Sequence, residues 1–224
     1  MTPRQLAFDL AHAERYGREG FFVSPANATA LAAVGDWANW PGGKLVLTGP
    51  PGAGKTHLAH IWAEEAGATR IAARDLETAS LRDLGPRVVV EDADRAAGLP
   101  ACEEALFHLH NLILPAGRLL VTAATPPRDW GLALPDLLSR MQAAPLARLE
   151  APDDALLSAV LVKLFSDRQI VVPPSLIPYL VLRMERSIAA ARALVAALDG
   201  RALAGGRAIT RALAAEMLDS PDPE

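Results

Sequence analysis

The sequence predicts an α/β fold in which a parallel sheet is flanked by helices and is followed by a smaller, all-helical lid domain. Three observations support this prediction. Short apolar segments such as Lys44–Thr48, Arg87–Glu91 and Arg118–Ala123 alternate with helical segments, which is the pattern of a parallel sheet. A glycine-rich segment joins the first of these strands to a helix. After Pro152, the pattern is helical.

Each element is predicted from its own local pattern. The expected strands cover residues 44–48, 70–73, 87–91, 118–123 and 146–149, and the expected helices of this part cover 28–40, 55–66 and 101–114. Proline and glycine close the first and third of these helices. Further helices are expected over residues 153–167, 175–184, 187–198 and 210–218. We therefore divide the chain into a tail (1–20), a sheet domain (21–150) and a helical lid (151–224), whose last five residues are expected to fray.

The composition argues against several classes of protein. The net charge is −4, and the last third of the chain, from residue 151, holds eight basic and nine acidic residues. Nucleic-acid-binding proteins usually carry a basic stripe, so strong direct binding of nucleic acid is not expected. No segment approaches the roughly 20 consecutive apolar residues of a membrane-spanning helix. The one cysteine, Cys102, excludes an internal disulfide. These features together predict a cytoplasmic protein.

The glycine-rich segment over residues 49–56 reads GPPGAGKT and fits G-x-x-x-x-G-K-[ST] at every fixed position. Glycines allow backbone angles that turn successive N–H groups inward, and the N-terminus of the following helix favours an anion. Lys55 is expected to reach the terminal phosphates of a nucleotide, and the Thr56 hydroxyl is expected to take a magnesium position. The other residues assigned to nucleotide binding here are Pro50, Gly52, Ala53, Gly54 and His57.

Acidic residues follow the strand over residues 87–91, where a P-loop protein needs a carboxylate for the magnesium shell and for orienting water. The segment reads VVVED, so the first acid is Glu91 and the second is Asp92. We assign both to the catalytic and metal site. The usual pattern has Asp first, and the longer side chain of Glu91 is expected to reach the metal shell all the same.

The order of these motifs resembles a known family. Phe22, Val23 and Asn27 precede GPPGAGKTH and VVVED, and residues 135–140 (PDLLSR) and 192–199 (RALVAALD) follow. This order is similar, over residues 21–218, to the AAA+ module of the bacterial replication initiator DnaA, and it most resembles the Hda family of DnaA-related regulators. Two features favour that family: the sequence ends after the helical lid, and the segment QLAFDL, with Gln5, Leu6, Phe8 and Leu10, resembles its clamp-binding peptide.

The resemblance implies roles for further residues. Arg140 would project toward the nucleotide of a neighbouring subunit and stabilise charge there, for which an arginine is suited. Arg192 would contact the nucleotide of its own chain and link the position of the lid to the phosphate state. Val23 and Asn27 would line the base pocket. The strand over residues 118–123 lacks the acid or amide expected of a polar sensor, although Thr122 or Thr125 could serve. This departure and Glu91 both predict weak hydrolysis by the chain alone.

The resemblance also implies partners and a function. The chain is expected to bind ADP or ATP with Mg²⁺, to dock on the DNA polymerase sliding clamp, and to stimulate ATP hydrolysis by DnaA, so that replication is not initiated again. Nucleotide-dependent self-association is possible for this module. Two other readings stay open: an ATPase of the helicase-loader type, and a nucleotide-dependent interaction protein without turnover. A small-molecule kinase is disfavoured because it would leave the helical C-terminal domain unexplained.

Overall fold

The computed structural model describes residues 18–114 and 116–218. The tail segment with Gln5, Leu6, Phe8 and Leu10, and the last residues of the chain, lie outside this part. The strands are β1 (Lys44–Thr48), β2 (Thr69–Ala72), β3 (Arg87–Glu91), β4 (Arg118–Ala123) and β5 (Leu146–Arg148). The helices are α1 (Ala28–Gly35), α2 (Lys55–Ala66), α3 (Pro100–Ile113), α4 (Pro135–Gln142), α5 (Asp154–Asp167), α6 (Leu176–Val181), α7 (Ile188–Gly205) and α8 (Arg211–Leu218).

The five strands form one parallel sheet in the order β2-β3-β4-β1-β5. The three inner strands are buried because helices cover both faces of the sheet, and this explains their continuous runs of apolar residues. Alternate residues of β1, β3 and β4 face opposite sides of the sheet: one set packs with α3 and α4, and the other set packs, together with β5, against α1 and α2. The carboxyl ends of β1, β3 and β4 therefore meet at one edge, where parallel α/β sheets bind ligands. The predicted fold class is confirmed.

The helices from α5 onward form a hydrophobic cluster of their own. Leu157, Leu161 and Phe165 of α5 pack against Leu180 of α6 and Val195 of α7. Two side chains cap the longer helices: Asp153 accepts a hydrogen bond from the amide of Leu156 at 2.7 Å, and Ser187 accepts one from the amide of Ala190 at 3.2 Å. Such caps satisfy N–H groups that have no partner within the helix.

Three predicted helices have clearly different lengths in the structure, and the one predicted over residues 175–184 is the shorter α6, Leu176–Val181. The predicted helix over residues 28–40 ends at Gly35, and a short 3₁₀ turn, Trp37–Asn39, follows. The chain folds back there because the indole N–H of Trp40 donates to the carbonyl of Ala33 at 2.8 Å. The helix predicted to end at residue 198 continues as α7 to Gly205, since Leu198 and Ala202 are both buried. In the part of the chain that the structure describes, no helix has the length and apolar character needed to span a bilayer.

Candidate functional site: a cradle between the sheet and the lid

The loop over residues 49–54 joins β1 to α2 at the carboxyl edge of the sheet. Gly54 has φ +103° and forms the N-terminal boundary of α2 without a side-chain cap. A residue with a Cβ would be strained at that angle. The first N–H groups of α2 thus face the loop rather than a capping oxygen, and they carry the positive end of the helix dipole. This geometry suits a bound anion such as a phosphate.

The side chain of Lys55 lies inside this loop. Its side chain is buried, and Nζ donates to the carbonyls of Gly49 at 2.7 Å and Pro50 at 3.1 Å. Burial lowers the pKa of Lys55, while the carboxylates of Asp92 and Asp94 act in the opposite direction. The ammonium is therefore held at the mouth of the loop by weak carbonyl acceptors, which an anionic ligand would replace with stronger ones.

The segment after β3 turns sharply toward the cradle. Asp92 has φ +53°, an uncommon left-handed conformation for a residue with a side chain. Its amide donates to the Thr122 hydroxyl at 3.1 Å, and the Asp94 carboxylate accepts from the amide of Ala124 at 3.1 Å. Thr122, which is buried at the end of β4, thus fixes the backbone of Asp92. These bonds hold the acidic turn against the end of β4.

Glu91 has a different environment from Asp92. Its carboxylate accepts hydrogen bonds from Nε of Arg70, at 2.9 Å, and from Nη2 of the same side chain. Arg70 lies on β2, and its Nη1 also contacts Nδ1 of His60 on α2. Both side chains of the Arg70–Glu91 pair are mostly shielded from water. Sequence reasoning did not identify Arg70, because nothing in a single strand indicates which acid on the next strand its arginine will meet.

A cavity of about 670 Å³ lies beside the cradle, between the sheet domain and the lid. Of the residues assigned to nucleotide binding, the structure brings four to this cavity: Asn27, Ala53, His57 and Arg192. The rest of the lining comes mainly from Phe21 and Phe22 and from helices α5 and α7, including Leu156, Val160, Lys163, Leu164, Asp167, Arg168 and Ile188. A cleft that combines apolar walls with charged groups has the character of a small-ligand site.

Of the two residues predicted for the base pocket, Asn27 lines the cavity and Val23 does not. Val23 is 62% exposed, and the cavity lining includes Phe22 in its stead. Asn27 lines the cavity, but its amide is engaged in the chain's own turn: Oδ1 accepts from the amide of Ser24 at 2.9 Å and Nδ2 donates to the carbonyl of Phe22 at 2.8 Å. Asn27 therefore shapes the wall that carries Phe22.

The lid rests directly on the cradle. The amide of Ile188, at the start of α7, donates to the carbonyl of Gly52 at 2.9 Å. Gly52 has φ +71°, and a Cβ added there would lie 1.9 Å from Oγ of Ser187. Arg192 stands one helical turn further along α7 and faces the cavity. The seat of α7 on Gly52 therefore sets the position of Arg192 relative to the loop.

Arg140 lies at the opposite edge of the sheet. Its carbonyl accepts a hydrogen bond from Nζ of Lys44, the first residue of β1, at 2.7 Å. Its guanidinium stacks over the ring of Phe107, 4.9 Å from the ring centroid. At 3.3 Å per residue, β1 separates Lys44 from the cradle by roughly 13 Å. The backbone of Arg140 therefore lies at a distance from the nucleotide site of its own chain.

The remaining assigned residues are Pro50 and Thr56 in the loop region and the tail residues. Pro50 accepts the second hydrogen bond of Lys55, and Thr56 is exposed in the first turn of α2. Within residues 18–114 and 116–218, no group of three or more His, Cys, Asp or Glu side chains is arranged to hold a metal by itself. A metal at this edge would thus need oxygen atoms from a ligand as well as from the chain.

Comparisons with known proteins agree with this architecture. The chain is 27% identical, over 237 aligned positions, to the chromosomal replication initiator protein DnaA of Thermomicrobium roseum; the alignment covers 93% of this chain and 50% of that protein. The chain thus spans about half the length of that curated relative. No protein-family model matches it.

Two solved structures superpose on the chain. Domain III of the Thermotoga maritima replication initiation protein DnaA does so with a TM-score of 0.80 at 21% identity, covering 93% of this chain and 98% of that one. The replication initiator DnaA bound to AMPPCP and single-stranded DNA gives a TM-score of 0.68 at 19% identity, covering 82% and 64%. That DNA belongs to the neighbour, and the expectation that this chain does not bind nucleic acid strongly stays an untested prediction.

The superposition on DnaA domain III covers 93% of this chain and therefore extends over both the sheet domain and the helical lid. At these identities the superpositions establish architecture and not activity. This chain therefore has a DnaA-like AAA+ fold of the kind found in DnaA domain III.

Proposed function

We propose that the chain binds ADP or ATP at the cradle and uses the bound state to act on another protein in the control of replication initiation. The observation that carries the proposal is the seat of the lid on the loop. Ile188 binds the Gly52 carbonyl, and the same helix brings Arg192 to the cavity. A nucleotide in the cavity would touch both domains at once, so its presence would change the surface that they offer to a partner.

Magnesium fits this site through the chemistry of its donors. Mg²⁺ prefers oxygen ligands and usually combines one or two protein groups with phosphate oxygens and water. Thr56 lies in the first turn of α2. Glu91 is the last residue of β3 and Asp92 follows it, at the same edge of the sheet. When bound, the metal would neutralise charge on the terminal phosphates. The chain's own contribution is to orient the phosphates with Lys55 and with the N–H groups of α2.

Weak hydrolysis by the chain alone is part of the proposal. The carboxylate of Glu91 is engaged by Arg70, and the Thr122 hydroxyl accepts the amide of Asp92. One oxygen of Glu91 and one acceptor position of Thr122 are therefore already occupied, which limits the ways in which either group can position an attacking water. These contacts favour a nucleotide that is held over one that is rapidly turned over, and they also keep the non-hydrolysing interaction protein as a second candidate.

Arg140 is the residue we propose to act on a neighbour. It lies at the far edge of the sheet from the cradle, where its carbonyl is held by Lys44 and its guanidinium by Phe107. A guanidinium presented in this way could contact phosphate oxygens in a second subunit. The neighbour we propose is ATP-loaded DnaA, in which Arg140 would complete the hydrolytic site. A second copy of this chain is the alternative.

The sliding clamp is the other partner that we propose. The basis is the resemblance of the segment with Gln5, Leu6, Phe8 and Leu10 to a clamp-binding peptide. An extended segment with alternating apolar residues can place them in a groove while glutamine supplies directional hydrogen bonds. A regulator of this kind would work in the cytoplasm.

Nucleotide binding is tested first, by calorimetric titration of ADP and ATP with and without Mg²⁺. The native chain should bind both. Lys55→Ala should weaken ATP binding by about tenfold to a hundredfold, since hydrogen bonds to a charged group contribute roughly 1.5–3 kcal/mol. The matched control is Lys163→Ala, which removes a lysine at the lid side of the cavity and should have a smaller effect. If the native chain takes up no adenine nucleotide, the proposed function is refuted.

The role of Arg140 is tested by adding the chain and the sliding clamp to ATP-loaded DnaA and following hydrolysis. Arg140→Ala should abolish the stimulation while nucleotide and clamp binding persist. Arg74→Ala is the control, because Arg74 is exposed and its ion-pair partner is the adjacent Asp75. Equal stimulation by the native chain and Arg140→Ala would exclude this role.

The tail is tested separately. A variant with Gln5→Ala and Leu6→Ala should lose binding to the clamp and should keep the nucleotide affinity of the native chain. Retained clamp binding would remove the tail from the proposal without affecting the cradle.

A further inference from the structure

Three side chains of α3 support helix α4, which carries Arg140 in its last turn. Glu103, Phe107 and His110 follow one another at intervals of four and three residues, so they are neighbours along one face of α3. We call these three residues the support face. Each of them contacts α4 or a residue that holds α4, and the support face therefore determines where Arg140 lies.

Glu103 fixes the start of α4. Its carboxylate is buried and accepts hydrogen bonds from the amides of Ala133, at 3.2 Å, and Leu134, at 2.8 Å. Leu134 is the N-cap of α4 and has no polar side chain of its own to close the helix. In a capping box, a glutamate of the same helix takes the amide of the N-cap residue. Glu103 does this from the neighbouring helix, and so it ties the start of α4 to α3.

Lys44 and His110 fix the end of α4. The helix ends at Gln142, so the carbonyl of Arg140 is one of the last four, which have no amide partner within a helix. Nζ of Lys44 donates to this carbonyl at 2.7 Å and lies 3.1 Å from Nε2 of His110. An ammonium has donors only, so the ring nitrogen is the acceptor. His110 thus orients Lys44, and Lys44 holds the backbone of Arg140.

Phe107 restricts the guanidinium itself. The guanidinium carbon of Arg140 lies 4.9 Å from the centroid of the Phe107 ring, in the range where a cation is attracted to the ring face. Among residues 18–114 and 116–218, no carboxylate or carbonyl accepts a hydrogen bond from this guanidinium, and Arg140 is partly exposed. The ring therefore limits the directions of the side chain while its N–H donors stay available to an acceptor on another molecule.

We propose that Phe107 and Lys44 are positioning residues that hold the Arg140 guanidinium in one orientation for the phosphates of a neighbouring subunit. This inference rests on the proposed role of Arg140. An arginine that is ordered beforehand loses less side-chain entropy when it meets a phosphate, and correct orientation lowers the barrier of the step that it assists. Loss of either residue should therefore lower the rate of the stimulated reaction without weakening the contact between the two proteins.

The first experiment measures the orientation of Arg140 in the isolated chain by NMR of its Nε–H group, assigned by the loss of its signal in Arg140→Lys. In the native chain this signal should be shifted by the ring current of Phe107 and should show restricted motion. Phe107→Leu, which keeps an apolar side chain but removes the ring, should abolish both effects, and Phe107→Tyr should keep them. Leu112→Ala is the control, because Leu112 lies on α3 but is 46% exposed.

Lys44 is tested by the same measurement. Lys44→Met keeps much of the apolar stem but cannot donate to the Arg140 carbonyl, so the Nε–H group should become more mobile. Lys44→Arg, which retains a donor, should restore the restricted motion. The inference is overturned if the native signal shows no ring-current shift, or if Phe107→Leu and Lys44→Met leave its position and motion unchanged.

The second experiment follows ATP hydrolysis by the proposed neighbour, ATP-loaded DnaA, as the chain is titrated in the presence of the clamp. Phe107→Leu should lower the maximal rate by about twofold to thirtyfold, the range for loss of a cation–π contact, at an unchanged half-maximal concentration. Lys44→Met should lower the maximal rate by severalfold, while Phe107→Tyr and Lys44→Arg should keep most of it. A higher half-maximal concentration with an unchanged maximal rate would show that these residues bind the partner instead, which would overturn the inference.

Failure of the proposed role of Arg140 gives a different result. Stimulation that is absent in the native chain, or equal in Arg140→Ala, would refute that role whatever the NMR signals show. Restricted motion of the native Nε–H group that is lost in Phe107→Leu, together with such a result, would place the ordered guanidinium outside DnaA activation. The two experiments therefore separate the orientation of Arg140 from its use.

Discussion

The contact between Gly52 and the lid makes a quantitative prediction about stability. Gly52→Ala forces a side chain into a left-handed conformation, which costs about 1–2 kcal/mol. The new Cβ would also lie 1.9 Å from Oγ and 2.9 Å from Cβ of Ser187. Overpacking of this kind typically costs about 1–3 kcal/mol. The total expected loss is roughly 2–5 kcal/mol, a large share of the stability of an ordinary domain.

The same change should be much less costly when Ser187 is replaced by glycine. Ser187→Gly removes the two atoms that would lie within 3 Å of the new Cβ, and glycine at a helix N-cap costs only a few tenths of a kcal/mol. Gly52→Ala in that background should then lose about 1–2 kcal/mol, from backbone strain alone. The difference between the two backgrounds, about 1–3 kcal/mol, is the coupling between loop and lid.

The assay is urea unfolding of the native chain, both single variants and the double variant, with ADP affinity measured on each. Single Gly52→Ala should also weaken ADP binding, because the lid must shift to admit the new Cβ. If the loss of stability from Gly52→Ala is the same in both backgrounds, the lid does not press on the loop in solution. The reasoning from the Ser187 contact would then be refuted.

Three further predictions concern buried polar groups. Burial, aided by Lys44 and Arg140, lowers the pKa of His110 to about 4. The unfolded chain therefore binds more protons than the folded chain between about pH 6.5 and 4. The free energy of unfolding should fall by about 2–3 kcal/mol as the pH drops through that range. His110→Gln should flatten this pH dependence in unfolding experiments from pH 4 to 7. The indole N–H of Trp62 is buried without a hydrogen-bond partner. Trp62→Phe should therefore lower the stability by about 1 kcal/mol or less, whereas Trp62→Ala should lower it by about 3–5 kcal/mol. Equal losses of stability for the two variants in thermal melts would contradict this expectation. The carboxylate of the buried Glu103 accepts the amides of residues 98, 133 and 134, so Glu103→Ala should cost about 2 kcal/mol or more in urea unfolding, and a neutral effect would show that water replaces it.

The main features of the fold were predictable because they depend on local chemistry. The strands over residues 44–48 and 87–91 are continuous apolar segments, and the loop between β1 and α2 has fixed glycines and a lysine in a known spacing. These signals need no information about distant parts of the chain. The helix ends were predicted less accurately. Helix α1 ends early, at Gly35, because Trp40 folds back on Ala33. Helix α7 continues past residue 198 because Ala202 is buried by tertiary packing.

The residues of the candidate site were predicted only in part, because the sequence of one strand or helix does not show which side chains of a neighbouring element it will contact. Arg70 and Phe107 carry no motif, yet they are the partners of Glu91 and Arg140. Phe22 replaces Val23 at the cavity because the turn held by Asn27 decides which side chain faces inward. Contacts of this kind follow from strand register and loop geometry, which a single sequence specifies only through the whole fold.

Strand β1 links two features of the molecule that are otherwise far apart. It leads into the cradle at one end, holds the carbonyl of Arg140 through Lys44 at the other, and is hydrogen-bonded on both sides, to β4 and β5. A strand that is hydrogen-bonded on both sides keeps a nearly constant length between its two ends. A shift of the Arg140 guanidinium would then come from its own side chain or from helices α3 and α4, since the span between the cradle and Lys44 is already set when the chain folds.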